Sequence, residues 1–201
     1  MFGLDQLTSR RNWRDFGRLF RNRRYDLNEV GELIIGGARI GGNFLVKGEG
    51  GLWVPGKNTG TTEGWNYILL CMAGTTVPST SWYIAPYTAN WTPTIASTAA
   101  TFHSTALEET TGYSETTRQA YASSSPAAGS INNYASPAVF TATGAVVWYG
   151  FGLFNTSTKD DASAYPTQAM IAAAKFTSAE SLSGSGSQLG IKYRYYIEAA
   201  A

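Results

Sequence analysis

Residues 191–198 read IKYRYYIE, and this stretch alternates between two kinds of side chain. Ile191, Tyr193, Tyr195 and Ile197 occupy every second position, with Lys, Arg, Tyr and Glu at the positions between them or after them. Successive side chains of a β-strand point to opposite faces, so a period of two is typical of a strand with one buried face. The stretch therefore predicts a half-buried strand whose four odd-numbered side chains face the core.

Further aromatic and β-branched runs predict strands earlier in the chain. They lie at residues 65–72, 81–84, 138–143 and 146–154. Residues 168–175 are apolar but rich in alanine, so a strand and a short helix both remain open there. Pro-containing turns separate several of the runs, which favours antiparallel pairing. We therefore expect a mainly β fold, an antiparallel β-sandwich or jelly roll, over residues 61–201.

The surface of this body is poor in charge. Charged residues make up 14% of the chain, against roughly 25% in average proteins. Between residues 58 and 158 the one basic residue is Arg118. A neutral, β-prone surface is unusual for a free monomer and is tolerated where neighbouring subunits cover it. The composition predicts an assembly domain that associates with copies of itself.

Residues 31–60 form a Gly-rich segment that contains GGARIGG and GEGG. Short apolar pieces alternate there with pairs of glycines, which fits an extended arm across a partner or edge strands with tight turns. The segment lacks the Gly-Lys-Ser/Thr ending of a phosphate-binding loop. We expect no nucleotide site and no cofactor.

The N-terminal residues 1–30 form a basic arm. Residues 1–25 hold seven arginines and two acids, a net charge of +5, whereas the other 176 residues hold eight basic and twelve acidic groups, a net charge of −4. Helical spacing places most arginines on one face and the aromatic residues on another. The arm is therefore predicted to be amphipathic and partly helical. The residues assigned to partner binding are Arg10, Arg11, Trp13, Arg14, Phe16, Arg18, Phe20, Arg21, Arg23 and Arg24.

Several partners could bind this arm. Arginine forks pair with carboxylates while aromatic side chains anchor in a groove, which would suit a protein subunit. Arginine with interleaved aromatics over residues 10–24 could also bind nucleic acid. A membrane surface and a solvated helix without a partner are the remaining interpretations. We favour a protein because the aromatic face is distinct from the arginine face.

The sequence contains few side chains that could act in catalysis. His103 and Cys71 are single residues of their types, so a metal site is not expected and no intrachain disulfide can form. The adjacent pairs Glu108-Glu109 and Asp160-Asp161 are expected to be solvated, because neighbours on a strand point to opposite faces. We expect no catalytic residue, no metal and no enzymatic activity. Trp82, Trp91 and Trp148 could stack on sugars, but core packing is the favoured interpretation.

Neither a targeting segment nor a membrane span is predicted. The first residues, MFGLDQLTSRR, lack the basic and apolar regions of a signal peptide. No stretch approaches the roughly 20 apolar residues that cross a bilayer. We expect synthesis in a cytoplasm and no membrane partner.

Three motifs occur in a characteristic order: GYSETTRQAY at 112–121, GSINNYASPAVF at 129–140 and WYGFGLFNTSTK at 148–159. This order resembles a module of virion structural proteins of tailed bacteriophages, and the resemblance covers roughly residues 65–198. In that family a segment similar to Tyr-Thr-Glu-x-x-Arg-x-x-Tyr precedes an Ile-x-Asn-x-Ala-x-Phe-like strand and an aromatic-glycine-aliphatic strand. The resemblance implies a β-rich assembly protein of the virion, made in the host cytoplasm.

Within that class, the expected function is capsid decoration or cementing, with the basic arm bound to the major capsid protein. A neck, tail or fibre-adaptor protein is the alternative in the same class, with other virion subunits as partners. A nucleic-acid-binding protein that uses residues 10–24 is the alternative of another class.

Overall fold

The computed structural model describes residues 25–27, 33–35, 38–124, 129–161 and 163–199. All ten arm residues assigned to partner binding lie outside these ranges, as does the predicted helical part of the arm.

The described residues form mainly strands. In chain order the strands are β1 (Tyr25–Leu27), β2 (Leu33–Ile35), β3 (Ala38–Lys47), β4 (Val54–Lys57), β5 (Thr59–Gly60), β6 (Tyr83–Tyr87), β7 (Gln119–Ala120), β8 (Ser130–Asn132), β9 (Ala138–Thr141), β10 (Val146–Phe154), β11 (Met170–Leu182) and β12 (Gln188–Ala199). The helical elements are α1 (Thr62–Met72) and α2 (Ala99–Thr101), and α2 runs directly into a π-helical turn (Phe102–Ala106).

The strands form two antiparallel sheets. The first sheet has seven strands in the order β1-β2-β3-β12-β8, with β4 also paired to β3 and β9 also paired to β12. The second has five strands in the order β5-β11-β10-β6-β7. The predicted mainly β, antiparallel fold is confirmed.

An aromatic core lies between the two sheets. The ring of Phe44 on β3 meets the ring of Phe151 on β10 edge-on, with centroids 5.1 Å apart. Tyr193 on β12 contacts the same Phe151 ring at 6.0 Å. Ile191 and Tyr193 are fully buried, and Tyr195 packs half-buried against this core. The two sheets therefore pack face to face as a sandwich. The predicted inward face of the last strand is confirmed at Ile191 and Tyr193, whereas Ile197 is half-buried and Tyr196, at an outward position of the pattern, is buried.

Two of the expected strands are long, central elements of the second sheet. Residues 146–154 form β10 with the predicted bounds. The alanine-rich run at 168–175, where strand and helix were both open, lies largely in β11, which pairs along β10. Alanine suits this position because the strand is buried against its neighbours and has little room for larger side chains.

The expected strand at residues 65–72 is wrong, because α1 covers this run. The side chain of Thr61 caps the helix by accepting a hydrogen bond from the Gly64 N–H at 3.0 Å. Trp65, Ile68 and Cys71 recur every three residues, a helical spacing, and the latter two pack half-buried against the core. Local capping and this spacing outweigh the β-propensity of the aromatic and aliphatic side chains.

The Gly-rich segment 31–60 supplies strands to both sheets. β3 lies between β2 and β12, and it pairs with β12 from Ala38–Ala199 to Lys47–Gly190. At Gly42 a Cβ atom would collide with the hydroxyl of Tyr193. Glycine therefore lets the Tyr193 side chain lie across β3, and this part of the segment builds the sandwich.

Candidate interaction surface

The outer face of the first sheet carries a row of side chains that crosses several strands. Lys47 on β3 pairs with Gly190 on β12, and Gly190 pairs with Val139 on β9. Trp53 immediately precedes β4, which pairs with β3. Residues in register share one face of a sheet, and the adjacent row of Val46, Ile191 and Ala138 is buried. The row through Gly190 therefore faces away from the core.

A groove lies over Gly190 because this position has no side chain. It encloses about 210 Å³. Its lining residues are Lys47, Gly48, Trp53, Pro137, Val139, Gln188 and Gly190. A Cβ atom at position 190 would lie 3.1 Å from the indole edge of Trp53. We call this feature the Gly190 groove.

Two lysines give the Gly190 groove a positive character. Lys47 lines it, and the ammonium of Lys192 lies 4.4 Å from the ring centroid of Trp53 and 5.9 Å from that of Tyr134. Cation–π attraction between these groups holds the Lys192 ammonium in place beside the groove. Of the described residues, the lining includes no carboxylate. The carboxyl group of Glu180 reaches Gly48 at one end, and burial raises its pKa.

Exposed apolar side chains occur in the segments that carry this groove. Leu52 is 77% exposed, Val54 is 40% exposed and Val139 is 36% exposed. Val139 lines the groove itself beside Trp53. Leu52 and Val54 flank Trp53 in sequence, and Val54 pairs with the buried Val46, so its side chain lies on the other face of the sheet. Exposed apolar area on a protein that is poor in charge is typical of a surface that binds another molecule.

A buried ion pair lies at the other sheet. Both side-chain oxygens of Glu108 accept hydrogen bonds from Arg118, from Nε and Nη2, each at 2.7 Å. The Arg118 side chain is fully buried and that of Glu108 is 1% exposed. The guanidinium also lies 3.9 Å from the ring centroid of Phe154. The expectation that Glu108 is solvated is wrong, because folding brings Arg118 from ten residues away to neutralise its charge.

His103 joins this ion pair. Its Nδ1 atom lies 3.1 Å from Oε2 of Glu108 and 3.3 Å from Oδ1 of Asp160, and its Nε2 atom lies 3.2 Å from Nε2 of Gln168. The carboxylate of Glu108 beside Nδ1 raises the pKa of His103, and burial and the nearby Arg118 oppose this only partly. Burial alone would raise the pKa of Glu108, but Arg118 and His103 outweigh it and lower the pKa. The side chains of Arg118, Glu108, His103 and Asp160 thus form one charge network.

This network predicts a pH dependence of stability. Because the pKa of folded His103 lies above its ordinary value of 6.5, its contribution is complete below that pH and is lost as the pH rises through the folded pKa. The melting temperature of the wild type should therefore fall relative to that of a His103→Gln variant as the pH rises from about 6 to 8. Thermal unfolding of both proteins across this range measures the difference. A difference that does not change with pH would show that His103 keeps its ordinary pKa.

The described ranges contain neither a metal-binding cluster nor a helix that could span a membrane. Within them, no group of three or more His, Cys, Asp or Glu has an arrangement that could hold a metal ion. Among the helices of the same ranges, none has the length and hydropathy of a membrane span. Glu108 is held at both oxygens by Arg118, so it is not free to act as a general base.

Of the tryptophans considered for sugar stacking, Trp148 is buried, and the partly exposed Trp82 and Trp91 pack against other rings. Trp148 is fully buried, Trp91 packs edge-on against Tyr87 at 5.5 Å, and Trp82 packs edge-on against Tyr195 at 5.9 Å. Trp53, which sequence reasoning did not single out, lines the groove instead. The signal that identifies it is its register beside Lys47 and Gly190, which requires the pairing of β3, β4 and β12.

Comparison of the chain with protein-family models and with curated proteins gave no match.

Proposed function

We propose that the protein is a structural component of a bacteriophage virion, and that it decorates or cements the capsid by binding the major capsid protein through its basic arm. Two lines of argument support this proposal. The order of the motifs at 112–121, 129–140 and 148–159 resembles that of tailed-phage structural proteins. The antiparallel sandwich is the kind of fold that this resemblance implies.

The observation that carries the proposal is the outer face of the first sheet. Exposed Val139 and the partly exposed ring of Trp53 line the Gly190 groove, on a chain with only 14% charged residues. Such a surface is costly for a free monomer and becomes favourable when a neighbouring subunit covers it. The locked ion pair of Glu108 and Arg118 fits a structural role and no catalytic one.

The proposed mechanism uses two surfaces. The arginines of the arm pair with carboxylates of a capsid subunit, and Trp13, Phe16 and Phe20 insert into an apolar groove on it. The sandwich contacts neighbouring subunits through its exposed sheet face. Apolar burial contributes about 25 cal/mol per Å² before association costs are subtracted. Many weak contacts on one shell then add through multivalency.

The arm is tested by reversing two of its charges. The variant Arg14→Glu with Arg18→Glu should be absent from purified particles, because the reversed charges repel the acidic partner surface. Its melting temperature should equal that of the wild type. A body variant with a charge reversal on the second sheet, Lys175→Glu, should enter particles normally. Normal incorporation of the arm variant would refute docking through the arm.

The alternative partner, nucleic acid, gives a separate result. If residues 10–24 bind DNA, the full-length protein should show an affinity that falls steeply with salt, and the arm variant should lose it. We expect no such binding at physiological salt.

A further inference from the structure

A second exposed feature lies at the corner where the π-helical turn ends. Leu107 is 51% exposed and has a φ of 59°. Its carbonyl oxygen accepts hydrogen bonds from the Thr88 N–H at 3.0 Å and from the Thr88 hydroxyl at 3.2 Å. The backbone of Leu107 is therefore fixed, and its apolar side chain projects from a rigid position.

An acidic residue lies next to Glu108, the residue that follows this leucine. Asp160 has a φ of 49°, and its Oδ1 atom lies 3.3 Å from Nδ1 of His103, while the side chain remains 76% exposed. Its backbone N–H donates a hydrogen bond of 3.2 Å to Oε2 of Glu108, the residue that follows Leu107. The buried Glu108 thus ties Asp160 to the same corner. We call Leu107 and Asp160 together the Leu107 corner.

The Leu107 corner and the Gly190 groove carry opposite charges. The corner offers one exposed apolar side chain and, held to the next residue along the chain, a carboxylate. The groove offers space over a glycine between Trp53 and Val139, with the ammonium groups of Lys47 and Lys192 at its margin. The basic arm is a poor occupant for the groove, because its charge of +5 would be repelled by both lysines.

We propose that the Gly190 groove of one copy binds the Leu107 corner of a second copy. Leu107 fills the space over Gly190, and the Asp160 carboxylate pairs with Lys192. The two surfaces differ, so the contact is head-to-tail, and repeated contacts form a ring or an open array according to whether the rotation closes. This contact rests on the proposed function, because a virion is the assembly in which it would form. It also deepens that function, because it names the surfaces through which the body associates with itself.

Charge reversal in the full-length protein tests this contact. In sedimentation velocity the wild type should associate as its concentration increases. Lys192→Glu and Asp160→Lys should each weaken self-association by at least about tenfold, since each places like charges together. Mixing these two variants should restore association, because each mixed contact again joins opposite charges. Lys175→Glu, a reversal on β11 of the second sheet, should associate as the wild type does.

An uncharged variant tests the apolar half of the contact. Leu107→Asn keeps a residue that tolerates a positive φ but removes the projecting side chain, and it should also weaken association. Melting temperatures close to that of the wild type establish that the variants are folded. A wild type that stays monomeric, unchanged association of the reversed variants, or folded variants that do not recover on mixing would each overturn the proposal. Particle incorporation through the arm is measured separately, so failure of this contact and failure of the proposed function are distinguishable.

Discussion

Replacement of Arg118 by methionine should lower the free energy of unfolding by about 3–5 kcal/mol, the range for removing one partner of a buried ion pair. Methionine fills part of the space above Phe154 but leaves the carboxylate of Glu108 buried without its bidentate partner. His103 remains beside Glu108 and compensates only part of the lost charge. Urea unfolding of the variant and the wild type at neutral pH measures the difference.

The double variant Glu108→Gln with Arg118→Met provides the control. Because glutamine carries no charge, removing the second partner should recover part of the lost stability, and the two changes should be strongly non-additive. Arg194→Met, on the half-exposed side of β12, should have a small effect. A loss of less than about 1 kcal/mol for Arg118→Met would contradict the buried pair.

Replacement of Gly64 by alanine should destabilise the body by about 2–3 kcal/mol, as overpacking of a close contact does. A Cβ atom at this position would collide with the backbone of Ile171 on β11, which cannot move aside as a flexible side chain can. In an isolated helix the same change would stabilise by about 1 kcal/mol. The sign of the effect therefore reports the packing of α1 against β11.

Gly144→Ala is the matched control for Gly64→Ala. A Cβ atom at position 144 would meet no atom within 4 Å, so the variant should unfold at about the same urea concentration as the wild type. Equal midpoints for the two glycine variants would show that α1 does not approach β11 closely.

The strands that could be predicted are those with an unambiguous pattern. Apolar and polar residues alternate in the sequence of β12, and β10 is a nearly continuous run of aromatic and aliphatic residues. Residues 191–198 and 146–154 therefore predict these two strands. The run at 65–72 is rich in the aromatic and aliphatic residues that are common in strands. It forms a helix because Thr61 caps it and because it packs against β11. Such short apolar runs cannot be assigned from composition alone.

The interaction surface could not be predicted because it depends on register. Lys47, Gly190 and Val139 are distant in sequence and become neighbours only when β3, β12 and β9 pair. Likewise, the pair Glu108-Glu109 looks solvated in sequence, and only the approach of Arg118 makes burial of Glu108 favourable. The arginine-rich arm, in contrast, is visible in the sequence as a cluster of charge.

The most direct test of the central proposal is the number of copies of this protein in purified phage particles, measured by quantitative mass spectrometry against the major capsid protein. Decoration or cementing of the shell predicts hundreds of copies per particle, because the contacts follow the capsid lattice. About a dozen copies would place the protein at the neck or tail and contradict the decoration role. Absence from particles would contradict the structural proposal itself.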